Sequence, residues 1–118
     1  MYPGIDIIEI ERVVTAFKRQ PKLYERLFTT RERENLINKG IQSYAAHFAG
    51  KEAVLKTLGT GLRGLAWHDI EILSDLSGEP QVYLSSRAME LVLARGGSRV
   101  RVSLTHNRTQ AMAFAILS

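Results

Sequence analysis

The sequence predicts an α+β fold in which an antiparallel sheet packs against one long central helix. Two pairs of apolar segments are each joined by a short turn-forming loop, and residues 42–58 carry helical spacing without a break. The chain has 118 residues and no cysteine, and at this size roughly two-thirds of the surface of the unfolded chain can be buried in one core. We therefore expect a single domain over residues 1–118, without disulfides or thiolate metal sites.

Each element has its own local signal. The predicted elements are a buried strand at 3–8, helices at 10–20, 29–39 and 42–58, strands at 69–73 and 81–84, a helix at 86–95, and strands at 99–105 and 110–117. Pro21 cannot continue a helix, Thr29 and Glu32 have the spacing of a capping box, and Gly59 favours the left-handed conformation that ends many helices. The last strand alternates large side chains with alanines, which predicts cover on both faces, one of them supplied by a neighbouring subunit.

The charge of the chain predicts an anionic partner. The net charge is +4 and the isoelectric point is about 9.7, and residues 85–118 contain five arginines and one acid. A non-enzymatic module that binds nucleic acid or an acidic protein is therefore one alternative, although few aromatic residues lie among these arginines. No apolar segment approaches the roughly 20 residues that a membrane-spanning helix needs. We expect a cytoplasmic protein that binds neither a membrane nor nucleic acid.

Two carboxylates could carry chemistry. Asp6 lies within an apolar strand, where a carboxylate costs several kcal/mol unless it is hydrogen-bonded, paired or bound to a cation. Taken alone, Asp6 fits better as the N-cap of the next helix, with Glu9 as its capping-box partner. Glu52 stands four residues before Lys56 on the long helix, and this spacing alone favours an exposed ion pair.

Other candidates are weaker when each is taken alone. The segment 59–61 can be a simple helix end or a phosphate contact, since a helix C-terminus repels anions. His106 ends a predicted strand and could reach a phosphate or be a polar hairpin residue. His47 and His68 have no second ligand at a matching spacing, so no zinc site is predicted.

Three segments, taken together in their order along the chain, favour a functional role for these residues. Residues 4–12, 48–61 and 102–106 resemble the signature of the holo-[acyl-carrier-protein] synthases, the small-subunit branch of the 4'-phosphopantetheinyl transferases. The resemblance implies the fold of that family and a magnesium-dependent transfer in fatty acid biosynthesis. In that reaction the 4'-phosphopantetheine group of coenzyme A passes to a serine of apo acyl carrier protein, and adenosine 3',5'-bisphosphate is released.

The resemblance also implies roles for individual residues. Asp6 and Glu52 would hold Mg²⁺, which usually takes one or two protein carboxylates together with phosphate and water. Lys56 would bind the phosphates and complete the catalytic set, while either Glu52 or a metal-held water beside Asp6 would accept the serine proton. The residues expected to bind coenzyme A are Lys56, His47, Thr105, His106, Gly59 and Gly61.

The family also implies partners. Its acyl carrier protein is acidic, and Arg12 and Arg19 lie one heptad apart on one side of the first helix, so both are expected to contact it. A homotrimer with active sites between subunits is expected as well. His47 stands where relatives usually have arginine, and it would therefore be a weaker, pH-dependent partner for an anion.

Overall fold

A computed structural model describes residues 1–118 of the chain. The elements in chain order are strand β1 (Tyr2–Glu9), helices α1 (Ile10–Arg19), α2 (Leu23–Leu27), α3 (Thr30–Leu36) and α4 (Ile41–Leu58), strands β2 (Ile70–Ser74) and β3 (Pro80–Leu84), helix α5 (Ser86–Ala94), and strands β4 (Val100–His106) and β5 (Gln110–Leu117). A 3-10 turn at Trp67–Asp69 leads into β2. None of the helices is both long enough and apolar enough to cross a membrane.

The strands form two antiparallel sheets. The larger has the order β1-β5-β4, and β2 pairs with β3 in a separate hairpin. Helix α4 packs against all three strands of the larger sheet. The predicted α+β class, with an antiparallel sheet on a long central helix, is confirmed.

Small residues let the sheet approach α4 closely. Ala111, Ala113 and Ala115 face the helix from β5 and are almost fully buried. On β1, a Cβ added at Gly4 would overlap the carbonyl oxygen of Ala53 in α4. Any larger residue at Gly4 would push β1 away from the helix.

The other face of this sheet is open in the single chain. Ile5 and Ile7 on β1 are 56% and 51% exposed, and Met112 and Phe114 oppose them on β5 with 38% and 45% exposed. The prediction of a fully buried first strand is therefore wrong for the single chain, because only alternate residues of β1 face α4. The alternation predicted for β5 is present, with alanines inside and large side chains outside.

Two helices, α2 and α3, differ from the predicted elements. Helix α3 begins after a complete Thr29–Glu32 capping box, as predicted, but ends at Leu36. The short helix α2 was not predicted, and its Tyr24 packs edge-on against Phe17 and Tyr44, so tertiary contacts support it.

Asp6 does not cap the first helix. Strand β1 continues through Glu9, which is the N-cap residue of α1 and makes no side-chain capping bond. The capping explanation for Asp6 is therefore wrong, and its carboxylate is free to face α4.

Candidate active site

The two carboxylates and the lysine of the sequence motifs come together at the edge of β1. Asp6 shares the inward face of its strand with Gly4, so it points toward α4. Lys56 extends from α4, and its Nζ lies 3.3 Å from Asp6 Oδ1 and donates to the Ile5 carbonyl oxygen at 2.7 Å. Glu52 precedes Lys56 by about one turn on the same side of α4.

The two acids are close enough to perturb each other. Partial burial raises the pKa of Glu52, the negative charge of Asp6 raises it further, and Lys56 opposes the shift. Paired carboxylate oxygens in this arrangement fit a hard cation such as Mg²⁺, which would relieve the repulsion. No cluster of three or more metal-ligating side chains exists in the chain, so further ligands would come from substrate and water.

An open groove begins beside these side chains. Its volume is about 340 Å³, and the residues that line it are Glu52, Leu55, Lys56, Gly59 and Gly61. Gly59 ends α4 in the left-handed conformation with φ of 79°. The predicted catalytic pair on α4 and the two predicted glycines therefore share one surface.

Thr105 and His106 lie elsewhere. They line a separate cavity of about 140 Å³ together with Ile7 and other residues near the β4–β5 turn. Strand β4 is two strands from β1, and His106 is aligned with Ile8 rather than with Asp6, which places the His106 and Asp6 backbones about 12 Å apart. A single chain does not bring the two groups into one cavity.

His47 is buried, in contrast to the expectation of an accessible anion partner. It is 4% exposed, and its Nδ1 has no hydrogen-bond partner. Burial lowers the pKa of His47 to about 4, and the positive charge of Lys39 contributes. The imidazole is neutral at pH 7, so the expected contact of a protonated His47 with an anion is corrected.

Arg12 and Arg19 share one surface, as the heptad spacing predicts. Both are exposed on α1, and they line an open groove of about 450 Å³ together with Thr15 and Glu11. The groove therefore combines two cations with nearby acids.

A buried ion pair between α4 and α3 was not predicted from the sequence. Lys51 and Glu32 are both fully buried, with 2.6 Å between Lys51 Nζ and Glu32 Oε1. Lys51 also donates to the Leu27 carbonyl oxygen, and Glu32 accepts from the Ile72 backbone N–H. Burial lowers the pKa of Lys51, while Glu32 opposes the shift. The available signal was a lysine among small and apolar residues of the long helix.

The family of the chain follows from its sequence and fold together. The fold and its cluster of two acids and a lysine define a small α+β domain with a surface suited to a metal-bound phosphate ligand. The family model described as "4'-phosphopantetheinyl transferase superfamily" matches residues 2–115. The chain belongs to this superfamily, which confirms the resemblance seen in its three motifs.

Individual proteins of this superfamily are similar to the chain in sequence and in structure. The chain is 44% identical to a holo-[acyl-carrier-protein] synthase of Alkaliphilus metalliredigens, over 96% of this chain and 94% of that protein. Its structure is similar to the crystal structure of holo-[acyl-carrier-protein] synthase from Neisseria meningitidis, with a TM-score of 0.88, 27% identity, and coverage of 99% and 97% of the two chains. The Helicobacter pylori synthase in complex with coenzyme A gives a TM-score of 0.86 at 30% identity, covering 98% and 99%.

Proposed function

We propose that this chain transfers the 4'-phosphopantetheine group of coenzyme A to a serine of apo acyl carrier protein and releases adenosine 3',5'-bisphosphate. The observation that carries the proposal is the convergence of Asp6, Glu52 and Lys56, from two separate motifs, beside one groove. The relatives named as holo-[acyl-carrier-protein] synthases, one of them bound to coenzyme A, support the same reaction. Cytoplasmic fatty acid biosynthesis is the proposed setting.

Each of the three residues has a distinct proposed task. Asp6 and Glu52 would hold Mg²⁺, which supplies charge neutralisation at the diphosphate and at the leaving bisphosphate. Lys56 adds a positive charge that orients the diphosphate, and its bond to the Ile5 carbonyl fixes its position. Glu52 and a water beside Asp6 are the two candidates for acceptor of the serine proton.

A homotrimer would complete the site. The open sheet face carries Ile5, Ile7, Met112 and Phe114, an apolar patch suited to burial against another copy of the chain. Thr105 and His106 border this face at the β4–β5 end, away from Asp6. Association through this face would create an active site between subunits, with Thr105 and His106 of one copy binding coenzyme A whose diphosphate is held through Mg²⁺ by Asp6 and Glu52 of another.

The carrier protein has a proposed docking surface on α1. Arg12 lies in the helix that directly follows the strand carrying Asp6, so a partner seated on Arg12 and Arg19 would contact the element next to β1. An acidic carrier complements these two cations, and the long phosphopantetheine arm would be accepted on a serine brought to that edge.

One experiment separates this function from a non-enzymatic basic module. The chain is incubated with coenzyme A, Mg²⁺ and apo acyl carrier protein, and the carrier is weighed by mass spectrometry. A gain equal to one phosphopantetheine, abolished by a chelator and restored by excess Mg²⁺, is expected. An unmodified carrier, combined with salt-sensitive binding of nucleic acid that is indifferent to Asp6 and Glu52, would instead support the basic module.

A further inference from the structure

One cation near the groove has no carboxylate partner. Arg95 follows α5, and no acidic oxygen lies within 4 Å of its guanidinium. Its Nη1 donates to the Thr57 carbonyl oxygen at 3.0 Å, in the last turn of α4. Its Cζ lies 4.0 Å from the centre of the Tyr2 ring, which stacks beneath it.

The same guanidinium also abuts the turn that lines the groove. A Cβ at Gly59 would overlap Arg95 Nη2, so the side chain of Arg95 occupies the space that any larger residue would need there. Gly59 lines the groove beside Glu52 and Lys56. Arg95 therefore packs against the back of this turn, while Tyr2 and Thr57 fix its orientation.

The electrostatics of α4 explain why a cation is useful here. The unpaired carbonyl groups at the end of a helix carry roughly half a negative charge, which repels an anionic ligand. Lys56 is engaged with Asp6 and with the Ile5 carbonyl. Arg95 donates directly to one carbonyl of the last turn, that of Thr57, so it compensates part of the charge that would otherwise oppose a phosphate in the groove.

We infer that Arg95 is a positioning residue for coenzyme A, because it neutralises the carbonyl end of α4 and holds the Gly59 turn that lines the groove. The inference rests on the proposed function for the identity of the ligand. Arg95 touches no reacting atom and acts equally on bound coenzyme A and on the transition state, so its removal raises the KM for coenzyme A and leaves kcat unchanged.

The test compares Arg95→Gln and Arg95→Lys with Arg87→Gln. Arg87 is an exposed arginine near the start of α5, and its replacement removes the same charge away from the groove. Steady-state transfer gives KM and kcat for each protein, while calorimetric titration with coenzyme A gives a dissociation constant that does not depend on turnover. Thermal unfolding is recorded for all variants.

For Arg95→Gln we expect KM and the dissociation constant to rise about 5- to 10-fold, the effect of one charge interaction at a helix end. Its kcat at saturating coenzyme A should stay within about twofold of wild type. Arg95→Lys should recover most of the affinity, and Arg87→Gln should match wild type.

Two outcomes would overturn the inference. In one, Arg95→Gln binds coenzyme A as tightly as Arg87→Gln does. In the other, both Arg95 variants lose kcat and thermal stability together with no rescue by lysine, which is the signature of a structural cap alone. Failure of the proposed function is recognisable separately, because wild-type protein would then neither bind coenzyme A nor modify the carrier.

Discussion

Acidification should destabilise this protein through His47. The imidazole is 4% exposed, its Nδ1 is unpartnered, and its pKa in the folded chain is about 4 against an ordinary value of 6.5. As the pH falls through 6.5, His47 becomes protonated in the unfolded chain, but in the folded chain it stays neutral until about pH 4. The stabilisation from neutral His47 is therefore fully present above pH 6.5 and is lost as the pH falls toward 4.

The expected loss follows from the two pKa values. Relative to pH 7, the free energy of unfolding should fall by about 2 kcal/mol at pH 5 and by about 3 kcal/mol at pH 4 because of His47. The positive charges of Lys39 and Lys51 both disfavour protonation of His47, which is consistent with its lowered pKa.

Urea unfolding at fixed protein concentration between pH 4 and 7 provides the measurement. His47→Gln keeps a polar side chain but removes the titration, so its free energy of unfolding should decline less steeply by about 2 kcal/mol at pH 5. Asp69, whose pKa is lowered partly by a hydrogen bond from the Ala66 backbone, also loses stabilisation in acid, but it does so equally in both proteins. Parallel stability curves for wild type and variant would refute the reasoning.

Three further changes test the site and the fold. Asp6→Asn and Glu52→Gln should each reduce transfer to the carrier at least about 100-fold in the mass assay while the urea midpoint stays near wild type; transfer at the normal rate in either variant contradicts the proposed metal role. Lys51→Met should cost about 3–5 kcal/mol in urea unfolding because it leaves the Glu32 carboxylate buried without its cation, and a second change, Glu32→Gln, should restore part of that loss because the amide oxygen can still accept from the Ile72 N–H; an unchanged free energy of unfolding for Lys51→Met would show that the pair is not closed to water. Phe114→Asp should give a monomer by sedimentation and abolish transfer, because it places a charge on the open sheet face; an active variant of unchanged mass would argue against association through this face.

Local signals in the sequence were enough for much of the fold. The capping box at Thr29, the left-handed Gly59 and the alternation in β5 each depend on residues only a few positions apart, so short-range physics determines them. The extent of β1 was less predictable. Its pairing with β5 carries the strand through Asp6 to Glu9, and that pairing depends on residues about a hundred positions away.

The candidate site likewise has features that the sequence predicts and features that only packing decides. The three motifs predicted Asp6, Glu52 and Lys56 as functional residues, and the resemblance they carry named the family correctly. His47 is a contrary case, because its position just before the second motif, where relatives usually have arginine, predicted an accessible anion partner, whereas packing of α4 made it a buried neutral group. Burial depends on what covers a helix face, which local spacing does not specify.

The sequence by itself determined the class of fold and the family, and it predicted Asp6, Glu52 and Lys56 as the chemical centre. Only the tertiary structure decided that Lys51 pairs with Glu32 inside the core, that Arg95 supports the end of α4, and that Thr105 and His106 lie apart from Asp6 in one chain. The physical reason is the separation along the chain of the residues that interact. Helix ends and strand alternation arise from neighbouring residues, whereas ion pairs and grooves arise from segments that meet only after the sheet has closed on the helix.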